Sequence, residues 1–142
     1  MSRRLNGVLR VRQIQEKQAR GALGMSRVRH RDAADAERET WTRLDDLSQR
    51  ALGETETLRL TRMLTDAGML AAETQNRVVV DASAAVDHAL GEWTIAARRV
   101  EALDRLSERL AVVEAEERQR LAQNEIDDLV LARFAVSLEA GR

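Results

Sequence analysis

Residues 79–103 read VVDASAAVDHALGEWTIAARRVEAL. Within them Val79, Ala82, Val86, Ala89, Trp93, Ala96, Val100 and Leu103 step by alternating threes and fours, and all eight are apolar. A stripe of period 3.5 stays on one side of a helix only if the helix supercoils around a partner, so this spacing predicts a coiled coil. Leu106, Leu110 and Val113 follow by steps of three, four and three. The extra three after Leu103 is a stammer, which predicts local overwinding. Further on the seam would land on Glu117, Arg120 and Asn124, and there the apolar stripe ends.

The rest of the chain supports long helices. It has 142 residues, no Pro, no Cys and no Tyr, and only two Trp and one Phe. Ala and Leu supply most of the 44% apolar content. Both are strong helix formers, and the commonest helix breaker is missing. With so few aromatics a thick core is hard to fill, whereas helices sharing a narrow seam need less. In the first half, Leu5, Val8, Leu9, Val11 and Ile14 begin an apolar face that Ala19, Ala22, Met25 and Val28 continue. After a polar stretch over residues 29–39, Trp41, Leu44, Leu47 and Ala51 restore it. Gly21 and Gly24 weaken this helix by about 1 kcal/mol each relative to Ala.

The chain reverses best at residues 53–57, Gly-Glu-Thr-Glu-Thr, where Gly53 suits a helix C-terminus and Thr55 or Thr57 an N-cap. Asp66-Ala67-Gly68 is the competing turn. The expected architecture is all-α: an elongated antiparallel two-helix coiled-coil hairpin in a single domain, with a C-terminal helical overhang. Helix one covers about residues 4–52, the tip about 53–57, and helix two about 57–138. Pairing about that tip sets Leu5 near Leu103, so residues past about 105 project alone.

Charge is unevenly spread. The formal net charge is −1, yet residues 1–31 hold nine basic groups against Glu16 alone. Residues 114–128 hold six acids against Arg118 and Arg120. Such poles steer and orient partners more than they stabilise a fold.

Several chemistries are excluded. Without Cys there is no disulfide, thiolate metal site or thiol nucleophile. His30 and His88 lie 58 positions apart and read as solvated surface residues, so no metal or cofactor site is expected. Asp45-Asp46 and Asp127-Asp128 are helix neighbours that point about 100° apart and cannot share a pocket. There is no Gly-rich phosphate loop, and no apolar run is long enough for a transmembrane segment. Trp41 and Trp93 read most simply as seam residues, with an exposed docking contact as the alternative. The basic first 31 residues lack aromatics for stacking and any reader motif, which argues against nucleic acid as a partner. A cytoplasmic, non-enzymatic protein is the plain reading.

Three stretches carry a resemblance. The opening (Leu5, Val8-Leu9-Arg10, Arg12-Gln13, Glu16, Ala19, Leu23), the middle (Val86-Asp87, Ala89-Leu90, Trp93) and the end (Arg99-Val100, Leu103, Leu106, Glu108-Arg109, Asp127-Asp128, Arg133) resemble the FliJ family of flagellar type III export proteins. Leu60, Met63, Leu64, Met69 and Leu70 stand where that family often has aromatics. The resemblance implies a coiled coil similar to the stalk subunit of rotary ATP synthases, seated in the hexameric flagellar export ATPase. It also implies stimulation of that ATPase, contact with the cytoplasmic part of the export gate, and handling of export chaperones at the cytoplasmic face of the inner membrane. On this reading Arg3, Arg4, Arg10, Arg12, Glu117, Arg120 and Arg133 meet the ATPase ring, and Leu60, Met63, Leu64 and Met69 meet the gate. An injectisome-type stalk is a near neighbour of this reading. A generic scaffold, or a nucleic-acid binder using the basic first 31 residues, is the reading from another class.

Overall fold

The computed structural model describes residues 2–51 and 58–140, with side chains for 4–50 and 58–137. Two α-helices, α1 (Ser2–Ala51) and α2 (Leu58–Ala140), pack against each other, and the described residues contain no strand. The expected tip at 53–57 lies outside the described residues. The competing turn is excluded, because Asp66, Ala67 and Gly68 lie inside α2.

The helices group into two compact units. In the unit Val11–Arg98, Glu16 meets Trp93 and Leu44 meets Gly68. The first number rises as the second falls, so the two helices run antiparallel. In the other unit, the first turns of α1 up to Arg10 group with α2 from Arg99 onward.

Burial follows one rule along both helices. On α1 positions 5, 9, 12, 16, 19, 23, 26, 30, 33, 37, 40, 44 and 47 are covered, a series of alternating fours and threes, with Ala34 and Ala36 half-buried beside it. On α2 they run from 61 through 65, 68, 72, 75 and 79 to 103, 107 and 110. Val79, Ala82, Val86, Ala89, Trp93, Ala96, Val100 and Leu103 are all half-buried within this series.

Several expectations change. The seam passes from Leu103 to Ser107 and Leu110, so there is no stammer, and Leu106 lies beside the seam, largely exposed. The preceding turns fix the helix phase, and half-exposing one Leu costs less than rotating every later contact. Covered positions therefore end at Leu110, and Val113 is exposed. On α1 the covered face is not the most apolar one. Val8, Val11, Ile14, Met25 and Val28 are exposed, while Arg12, Glu16, Ser26, His30, Glu37 and Thr40 face the seam. His30 is thus half-buried rather than solvated, and Trp41 lies outside the seam, 49% exposed.

Several polar groups of the seam find partners in their own helix or across it. Thr40 and Thr65 donate to the carbonyls of Ala36 and Thr61 at 2.9 and 2.8 Å. Among the described residues no buried side-chain polar atom lacks a hydrogen bond. The apolar core is thin: Leu23, Leu44 and Ala72 are its buried members. The ion pairs on the helices, such as Arg43–Glu39 and Arg77–Glu73, join residues one turn apart on exposed faces and contribute about 0–1 kcal/mol each.

Gly68 allows the closest approach. A Cβ there would lie 2.5 Å from Leu44 Cδ2 and 3.0 Å from its Cγ, whereas at Gly24 or Gly91 it would meet nothing within 4 Å. Gly91→Ala should therefore stabilise the protein by about 1 kcal/mol through helix propensity. Gly68→Ala should lose that gain to overpacking, which costs about 1–3 kcal/mol. Thermal unfolding followed by circular dichroism should show the two midpoints moving in opposite directions.

Candidate functional site

The residues that can reach a partner lie on three exposed surfaces, and each follows from where the seam runs.

The first is α2 beyond the seam. Every residue from 111 to 137 is exposed. A lone helix of good helix formers is marginal in water, and nothing in its own unit covers it. Glu117, Arg120 and Arg133 lie on this stretch, exposed. Arg118 Nε donates to the Glu114 carbonyl at 3.1 Å, and Gln123 Nε2 to Asp127 Oδ1 at 3.2 Å, so local bonds hold several polar side chains along the helix. Large apolar side chains stand among them. Leu131 is 67% exposed and Phe134 66%, with Leu121, Ile126, Leu129, Val130 and Val136 also uncovered. Contiguous apolar surface on a solvated helix marks an interaction site. In the sequence the charges of 114–128 stand out more strongly than Phe134, although the apolar run at 129–132 marks this end of the helix.

The second surface is the start of α2 together with Trp41. Leu60, Met63, Leu64 and Met69 are all exposed. Trp41 of α1 and Met69 of α2 line a shallow groove with Leu70 and Ala72, rimmed by Glu37, Asp66 and Glu73. Gly68 is small enough for Leu44 to seat against α2, and the seam phase through Thr40 and Leu44 leaves Trp41 on the flank. The apolar floor suits an amphipathic helix, and the carboxylate rim favours a basic one.

The third surface is the basic start of α1. Arg4 and Arg10 are exposed and share a compact unit with Glu117, Arg120 and Arg133. The side chain of Arg3 lies outside the described ones. Arg12 is not grouped with them: it occupies a seam position, half-buried, and its Nη1 donates to Gln15 Oε1 at 2.9 Å.

Glu16, the lone acid of this basic stretch, is turned inward and is 9% exposed. Its Oε1 accepts from Trp93 Nε1 at 2.7 Å and from Arg20 Nη2 at 2.7 Å. The Trp93 hydrogen bond, helped by the Arg20 charge and opposed by burial, holds its carboxyl below the ordinary value of 4.5. A carboxyl whose folded value is lowered stabilises the fold above its unfolded value and loses that effect as pH falls through the folded one. Glu16→Gln should therefore flatten the fall in melting temperature below pH 4.5. An unchanged acid limb would contradict the assignment.

Among the described residues there is no cluster of His and acidic groups fit to hold a metal, and no helix long and apolar enough to cross a membrane. What the molecule offers is surface. No curated protein and no solved structure matches the chain. The family model of the flagellar FliJ protein, in contrast, matches residues 1–139. The chain belongs to the FliJ family of flagellar proteins.

Proposed function

We propose that this chain is a non-enzymatic stalk and adaptor of the flagellar type III export apparatus. It binds and stimulates the hexameric export ATPase and links it to the export gate and to export chaperones, at the cytoplasmic face of the inner membrane. A member of this family is a component of that apparatus, and the family is one of structural adaptors rather than enzymes.

The observation that supports the finer reading most is the bare helix over 111–137. A protein of this size has no structural need for such a length of uncovered helix rich in Leu and Val. Insertion into a ring would cover it on all sides, with Glu117, Arg120 and Arg133 meeting the ring wall and Arg4 and Arg10 its rim. The exposed Leu60, Met63, Leu64 and Met69 form the surface for the gate, where Met adapts its shape to a partner.

Steady-state ATP turnover by the export ATPase, with full-length protein and with a chain ending at Leu110, tests this. The full chain should raise turnover. The shortened one should not, although its seam and helicity are intact. Equal stimulation by both, or none by the full chain, would overturn the reading.

A further inference from the structure

The exposed residues of α1 are not scattered. Val11, Ile14, Gln18, Gly21, Met25 and Val28 alternate threes and fours, two residues ahead of the seam series. Two residues correspond to about 200° of helix, so this second heptad stripe lies opposite the seam. Its apolar members are 48–61% exposed, and a Cβ at Gly21 would meet nothing within 4 Å. Lys17 and Arg31 flank it, and because Glu16 is buried in the seam, the outward face over residues 11–31 carries no acid.

A matching stripe exists on the bare part of α2. Ala115, Ala122, Ile126, Leu129 and Val136 fall on one alternating series, which Gln119 and Arg133 complete, and all are exposed. Glu125 and Asp128 flank it. The outward face of α1 is basic, whereas residues 111–137 hold six acids against Arg118, Arg120 and Arg133, and both stripes run for about 20 residues, roughly 30 Å. Opposite charges flanking apolar heptads are the ordinary determinants of helix pairing.

We propose that the outward stripe of α1 takes up the 111–137 segment of a second copy of this chain, so that the protein self-associates through these two faces. A bilayer is the weaker fit, since the stripe lacks the Trp, Phe and Leu that anchor interfacial helices. The inference goes beyond the proposed function and does not depend on it. If both hold, a second copy and the ATPase ring compete for one helix.

Sedimentation velocity of the protein alone tests it. At ~0.05 M salt the average mass should rise with concentration above the 16.0 kDa of one chain. It should return to one chain at ~1 M salt, where charge attraction is screened. Glu125→Arg with Asp128→Arg should weaken association at least tenfold, and adding Lys17→Glu with Arg31→Glu should restore it. A single-chain mass at low salt and high concentration would overturn the proposal. So would association that survives removal of residues 111–142, or anionic vesicles binding α1 without self-association.

Discussion

Leu23→Asp should unfold the helical pair at neutral pH. Leu23 is 4% exposed in a seam that has few other fully covered side chains. Truncating a buried Leu costs about 2–5 kcal/mol, and burying an unpaired carboxylate adds several more. The total approaches the roughly 5–15 kcal/mol that holds an ordinary domain together. A wider core would share such a loss among many neighbours; here the adjacent seam positions on α1 are Ala19 and Ser26. Circular dichroism should show most helicity lost at room temperature. Val80→Asp, on the exposed side of α2 at 58%, is the matched control and should shift stability by less than about 0.5 kcal/mol.

The second large effect is on partner binding rather than stability. Leu131→Asp combined with Phe134→Asp should abolish ATPase stimulation at concentrations that saturate with the unaltered chain. Buried aromatic and aliphatic anchors typically carry about 2 kcal/mol or more of an interface, so half-saturation should rise at least ~30-fold. Both side chains are about two-thirds exposed in the free protein, so the melting midpoint should stay put. A variant that stimulates normally would shift the ring contact to the charged rim.

The two helices were not equally legible in the sequence. On α2, residues 79–103 place an apolar side chain at every seam position, and there apolarity and burial coincide. On α1 they part. Glu16 sits inside because Trp93 and Arg20 satisfy it. Thr40 sits inside because its hydroxyl bonds the backbone of its own helix. Val11, Ile14, Met25 and Val28 sit outside, on a face that no part of this chain covers in its unit. Hydropathy along α1 therefore reports two faces at once, and reading it as one produced a looser period than the helix has. Leu106 misled for a related reason: it is apolar, but the phase set by Val100 and Leu103 brings Ser107 inward.

Trp41 shows the same limit in the candidate site. Its spacing from Leu44 suits a seam, yet the seam of α1 runs through Thr40 and Leu44, with Leu44 closely approaching Gly68, and this phase turns Trp41 to the flank. That close approach is a property of the opposite helix, so it cannot be read from the residues around Trp41. The exposed surface at 60–69 and the bare helix after 110 were visible as an end to the seam pattern. The apolar weight of 129–136 was not, because the charges just before it dominated the reading.

Hydrogen exchange of the protein, alone and with the assembled export ATPase, tests the central claim most directly. Alone and dilute enough to be a single chain, amides over 16–23 and 86–100 should exchange slowly, and those over 112–136 close to the rate of unprotected helix. With the ATPase, protection should appear over 112–136 while residues 60–70 stay unchanged. Slow exchange over 112–136 in the free protein, or no gain there when the ring is present, would contradict a bare helix held ready for that partner.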